Sequence, residues 1–240
     1  MERIDDLGVK NLKIIQDTKL FCFGMDAVLL SNFAKASCGD TVVDLCSGNG
    51  IIPILLTAKT NAKRIVGVEL QKEPYDLAIR SIELNGIKSR VEMINDDIKN
   101  VFSYIGEGKA NAVTCNPPYM TGGVGKVNPN DAVAIARHEI ATNLEEVVHI
   151  ASRLLKFGGS FYMVHRADRL CDIICIMREK HIEPKRIRFV HPRVNATPNL
   201  VLIEGKSGAK SGIIIENPLY VYNDDGTYTD EINKIYEREI

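Results

Sequence analysis

The chain has 240 residues, 45% hydrophobic and 25% charged, with a formal net charge of −1. That length supports one well-buried α/β domain, and the near-zero charge excludes a global field that would draw in nucleic acid, so any RNA affinity must come from a local patch. No signal-like apolar stretch follows Met1, no apolar run approaches the ~18 residues of a membrane span, and the six cysteines include no C-x-x-C pair, which predicts a soluble, cytoplasmic protein without a membrane or metal partner.

In chain order, residues 1–35 read as an N-terminal lead with one short hairpin and a helix over Asp26–Ala36. Thr41–Leu45 reads as a buried parallel strand. It carries Asp44 near its end and runs into Cys46-Ser47-Gly48-Asn49-Gly50, then an apolar helix over Ile51–Ala58. The glycines let the backbone turn tightly and approach a ligand. The spacing has no third glycine and no lysine for phosphate, so it fits neither a pyrophosphate fingerprint nor a P-loop. An acid beside such a turn suits a cationic ligand bearing an amine, as S-adenosylmethionine does.

A second strand, Arg64–Glu69, ends in an acid about twenty residues past the glycines, where a carboxylate takes a ribose hydroxyl pair. A helix over Lys72–Leu84 follows, ended by Asn85-Gly86. The third strand, Val91–Ile98, closes on acids. Asp97 is placed to accept from a cofactor adenine amine, with Ile98 against the ring. Either Glu69 or Asp97 could instead cap a helix.

The apolar run Asn111–Cys115 is a fourth strand, closed by Asn116-Pro117-Pro118-Tyr119. Two prolines stop a strand and hold the next turn rigid. The Asn116 side-chain oxygen and the Pro117 carbonyl can both accept from one planar NH₂, while Tyr119 can stack on the ring that carries it. That kit suits methyl transfer to an adenine amine. The glycine-rich Met120–Asn130 reads as a loop that grips substrate.

Beyond it, Asn143 with Glu146 three residues on forms a capping box. Gly158-Gly159 should turn the chain into strand Ser160–His165, followed by a helix over Asp168–Lys180. Strands Lys185–Val190 and Asn199–Glu204 have no helix between them, which predicts an antiparallel hairpin. A polar loop, the extended run Ile213–Ile215 and a closing helix near Thr229–Arg238 complete the tail. Arg186 and Arg188 sit in a basic stretch that reads as an RNA backbone track, with a solvated edge as the nearly equal alternative.

These motifs together resemble the class I S-adenosylmethionine-dependent methyltransferases that act on amino groups. The resemblance is closest to the bacterial tRNA adenosine N6-methyltransferases that modify position 37 of a valine tRNA. Phe21-Cys22-Phe23-Gly24-Met25-Asp26-Ala27-Val28-Leu29-Leu30, Ala136-Arg137-His138-Glu139 and Val190-His191-Pro192-Arg193 carry the narrower likeness. It implies a Rossmann-like α/β domain: a seven-stranded, mostly parallel sheet with an antiparallel final strand, the catalytic core over 36–206 and the tail over 207–240. Residues and resemblance together place Asp26, Asp44, Gly48, Asn49, Gly50, Glu69, Leu70, Asp97, Ile98 and Asn116 on the cofactor. They make Asn116, Pro117 and Tyr119 catalytic. They put Pro118, Tyr119, Lys126, Arg137, His138, Arg186 and Arg188 on an RNA substrate. Two other readings share the motif: methylation of a protein glutamine, and an inactive RNA-binding adaptor of the same fold.

Overall fold

A computed structural model describes residues 1–20, 22–117 and 144–238. A hairpin of β1 (Glu2–Asp6) and β2 (Lys13–Asp17) leads into α1 (Met25–Phe33). Then come β3 (Thr41–Leu45), α2 (Ile51–Lys59), β4 (Arg64–Glu69), α3 (Lys72–Leu84) and β5 (Val91–Asn95). A 3-10 turn (Ile98–Asn100) and a short α4 (Phe102–Ile105) precede β6 (Ala110–Cys115). After the undescribed stretch, α5 (Leu144–Leu154) passes directly into β7 (Leu155–Arg166), then α6 (Leu170–Glu179), β8 (Ile182–His191) and β9 (Leu200–Ser207). Two short strands, β10 (Ile214–Ile215) and β11 (Leu219–Tyr220), and α7 (Asp230–Ile235) form the tail.

The central sheet runs β8-β9-β7-β6-β3-β4-β5, with β10 and β11 both paired to β8. Strands β3 to β7 are parallel, and β9 is antiparallel to both β7 and β8. The Rossmann-like expectation therefore holds for the seven core strands, and the tail adds two short strands to the edge. Strand β3 is covered on both faces, which is why Val42, Val43 and Leu45 form an almost unbroken apolar run. One apolar layer joins α1, α2, α3 and α7 to the sheet through Leu30, Leu55, Ile82 and Ile232. The other joins α5 and α6 through Val148, Leu154, Ile173 and Met177.

Several element boundaries depart from expectation, three of them with a clear local cause. β7 begins at Leu155 rather than Ser160, because Gly158-Gly159 forms an irregularity inside the strand instead of a turn before it. The register with β6 shifts between Ala110 and Ala112, Gly158 has φ +78°, and a Cβ on Gly159 would lie 2.9 Å from the Lys156 carbonyl oxygen. β5 ends at Asn95, since Asp97 turns the chain by accepting from the Lys99 N–H at 2.9 Å. α1 ends at Phe33 rather than Ala36, and Ala34 closes it with an N–H to the Leu30 carbonyl.

The sheet order reverses direction at β3 and β6. Chain leaves β3 toward β4 on one side, while β6 leads to β7 on the other. Such a switch point is where open α/β sheets bind ligands. Leu45 and Cys115 are register partners at that edge, so the Cys46–Gly50 turn and Asn116 lie side by side.

Candidate active site

The turn after β3 is held in left-handed backbone geometry at Cys46 (φ +59°), Gly48 (φ +56°) and Gly50 (φ +79°). A Cβ on Gly50 would come within 2.9 Å of the Ala78 Cβ, so glycine there lets α2 approach α3; a Cβ on Gly48 would meet nothing within 4 Å. Asp44 lies beneath this turn, not at its entrance. It is fully buried, accepting from the Thr114 hydroxyl at 2.6 Å and the Ser47 hydroxyl at 2.7 Å. Burial outweighs these bonds and pushes its carboxyl up to about 7, with the nearby Glu69 charge adding to the rise.

The raised value has a consequence for stability. The folded protein holds this proton more tightly than the unfolded chain, so the contribution is fully present below about pH 4 and is lost as pH rises through about 7. Asp44→Asn should flatten this slope. Unfolding free energy compared at pH 5 and pH 8 should fall by up to a few kcal/mol in wild type and by clearly less in the variant. Denaturant titrations at both pH values measure this, and equal slopes would refute the burial argument.

Glu69 ends β4 at 4% exposure. One carboxylate oxygen accepts from the Gly48 N–H at 2.7 Å and the other from the Gln71 N–H at 2.8 Å. Asn95 steadies the same point by donating to the carbonyls of Glu69 and Leu70 at 2.9 and 3.1 Å. Leu70 is half-exposed. Asp97 caps the 3-10 turn, so the capping alternative applies to it, while Ile98 is buried and packs inward with Leu45 and Val68. Asn49 is buried, and its side-chain nitrogen has no hydrogen-bond partner among the described residues. A buried donor of this kind calls for an acceptor.

At the end of β6, the Asn116 side-chain nitrogen donates to Asp26 Oδ2 at 3.0 Å. Asp26 stands in the first turn of α1, and its other oxygen accepts from the Ala27 N–H at 2.9 Å. Pro117 is buried beside it. His165 lies near the end of β7, two residues beyond the Cys115–Met163 pair. Its Nδ1 accepts from the Arg166 N–H at 2.9 Å. Burial and the neighbouring Arg169 charge lower its pKa to about 4, so it is neutral at pH 7. The sequence puts His165 at the end of this strand but gives no sign of its burial. Pro118, Tyr119, Lys126, Arg137, His138 and the Asn143 of the expected capping box, together with the glycine-rich segment 120–130, lie outside the described residues.

Arg186 and Arg188 are brought together with the tail rather than with this edge. Arg186 donates to Glu204 at 2.7 Å, Glu216 at 3.0 Å and the Phe33 carbonyl at 2.8 Å, and its guanidinium lies 3.8 Å from the Phe33 ring centroid. Arg188 reaches the Asn217 carbonyl at 3.0 Å and Glu231. Both guanidinium groups are engaged by protein acceptors, Arg186 in a half-buried setting and Arg188 nearer the surface.

The chain is similar to several known methyltransferases. The family described as "Methyltransferase small domain" matches residues 21–180, two thirds of the chain. A tRNA1(Val) (adenine(37)-N6)-methyltransferase of Dyadobacter fermentans is 22% identical over 96% of this chain and 94% of its own length. The protein of that name from Aeromonas hydrophila is 25% identical over the same shares, 96% and 94%. Among solved structures, a predicted O-methyltransferase from Agrobacterium tumefaciens superposes with a TM-score of 0.72 at 20% identity, covering 89% of this chain and 96% of that one. TYW2 of M. jannaschii, solved in complex with AdoMet, gives 0.58 at 15% identity over 86% of each chain. At these identities the structural matches establish a shared fold.

Proposed function

The chain belongs to the methyltransferase small domain family, and from that premise we propose that it transfers a methyl group from S-adenosylmethionine to the N6 amine of an adenosine in tRNA, at position 37 beside the anticodon. The observation that carries this reading is the Asn116 amide anchored at the end of β6, next to the Gly48–Glu69 turn at the sheet's switch point. Nearly full-length likeness to proteins named for that reaction supports the substrate.

The residues present fit the cofactor. Asn49 offers a buried donor in need of an acceptor, which a ligand carboxylate supplies. The Gly48 position is open where a Cβ would otherwise project. Glu69 keeps unused lone pairs for ribose hydroxyls, because each oxygen takes one backbone N–H and a carboxylate accepts about four bonds. Asp44 supports the turn from beneath through the Ser47 hydroxyl, and Asp97, with Oδ1 taken by the Lys99 N–H, offers its other oxygen to the adenine amine. When bound, S-adenosylmethionine contributes a methyl group activated by its sulfonium.

The acceptor amine is a poor nucleophile, since its lone pair is delocalised into the adenine ring. The Asn116 oxygen and the Pro117 carbonyl accept its two N–H bonds and hold the lone pair toward the methyl. Rate then comes mostly from positioning. No strong base is required, because the methylated ammonium loses its proton readily. Tyr119, from its place in the sequence, supplies the ring on which an extruded base stacks, an interaction worth ~1–3 kcal/mol.

The test is radiolabel transfer from S-adenosylmethionine to unmodified tRNA, beside a glutamine-containing release-factor fragment, with nucleoside mass spectrometry of the product. The expected product is N6-methyladenosine. Label confined to the protein fragment would assign the glutamine reaction, and label in neither substrate despite cofactor binding would favour the adaptor.

A further inference from the structure

We infer that Asp26 is a positioning residue for methyl transfer, acting through Asn116 rather than on the cofactor; this rests on the methyl-transfer reading above. The two residues are 90 positions apart in the chain and meet at 3.0 Å, Asn116 Nδ2 to Asp26 Oδ2. An ionised carboxylate only accepts hydrogen bonds, so it dictates which end of the amide faces it. With Nδ2 turned to Asp26, the Asn116 oxygen is directed to the opposite side of the amide. That is the end a substrate amine needs. Turned the other way, the amide would set NH₂ against NH₂ and repel the acceptor.

The carboxylate is itself held in place. Asp26 Oδ1 accepts from the Ala27 N–H at 2.9 Å, in the first turn of α1, where the helix dipole favours negative charge. Gly24 leaves room for it: a Cβ there would stand 2.8 Å from Asp26 Oδ1. Helix α1 is fixed by Ala27, Val28, Leu29 and Leu30, all at most 1% exposed. A rigid carboxylate on a rigid helix therefore sets the rotamer of a side chain at a strand end. Donation to a charged acceptor also polarises the amide and strengthens its oxygen as an acceptor.

Three variants test this. Asp26→Ala should lower single-turnover methyl transfer about 10²-fold, the scale of a misplaced reacting group, with cofactor affinity within about threefold of wild type. Asp26→Asn keeps a carbonyl to accept from Asn116 Nδ2 and should recover most of the loss, to within about tenfold of wild type. In an Asn116→Ala background, Asp26→Ala should add no further loss, because residues acting as one unit are not additive. A side chain that merely supported the fold would add its cost in both backgrounds.

A second readout needs no acceptor. The Asn116 side-chain amide resonances should be resolved and slow to exchange in wild type and Asp26→Asn, and should lose that protection in Asp26→Ala. Unchanged resonances in Asp26→Ala would overturn the inference. So would a large loss of cofactor affinity without a change in turnover, or Asp26→Asn failing as badly as Asp26→Ala. Wild-type protein that labels no tRNA would sink the functional reading instead, while the amide resonances still decide the pair.

Discussion

Asn116→Ala should reduce the single-turnover rate on adenosine-containing tRNA by about 10²–10³-fold, the cost of removing one preorganised polar group aimed at a reacting centre. Cofactor affinity should stay within about threefold of wild type. The backbone at Cys115 and Asn116 is fixed by the parallel pairing of β6 with β3 and β7, so shortening the side chain leaves the strand end in place. The Gly48–Glu69 bond belongs to the neighbouring turn and does not involve Asn116. Rapid-quench transfer with saturating cofactor, paired with calorimetry, separates the two effects. Equal losses of affinity and rate would make Asn116 a cofactor group and leave the amine without its proposed acceptor.

Arg186→Ala should destabilise the protein by about 3 kcal/mol, since it strands a partly buried carboxylate. The Arg186 side chain is 13% exposed and its partner Glu204 12%. One guanidinium ties β8 to β9 through Glu204, to the tail through Glu216, and to the carbonyl at the C-terminal end of α1 through Phe33. That last contact also places a cation at the negative pole of the helix dipole. For a chain of this size the loss corresponds to a melting temperature lower by about 6–12 °C. Arg186→Lys should recover only part of it, because an ammonium lacks the planar fork and stacks poorly on the Phe33 ring. Thermal melts of the two variants measure this. A variant with wild-type stability and a shallower salt dependence of tRNA binding would return Arg186 to the RNA surface.

Local sequence chemistry carries much of this molecule. Strands β3, β4 and β6 are legible because a parallel strand covered on both faces must be a run such as Val42-Val43-Asp44-Leu45 or Ala112-Val113-Thr114-Cys115. Helix α3 is legible from its apolar face at Leu77, Ala78 and Ile82 and from the Asn85-Gly86 stop. The β8–β9 hairpin follows from two strands with no helix between them. The Asn116-Pro117 strand end and the Gly48 turn stand out because few residue types can do what those positions require.

Tertiary structure decided what depends on residues far apart in the chain. Gly158-Gly159 has the composition of a turn, but the crowding of the Lys156 and Asn111 carbonyls makes it an irregularity within β7. Arg186 has the composition of a surface cation, yet acceptors from β9, α1 and the tail enclose it. Asp44 precedes a ligand-type turn in the sequence and lies beneath it in space, because Ser47 folds back and Thr114 arrives from β6. Asp26 gains its bond to Asn116 only when α1 packs near the end of β6. Sequence by itself determined which segments become strands and helices and which residue kit ends β6, because periodicity and backbone restriction act over a few residues. The order of the strands determined which of those side chains meet, because contacts across the sheet join residues whose separation along the chain carries no local signal.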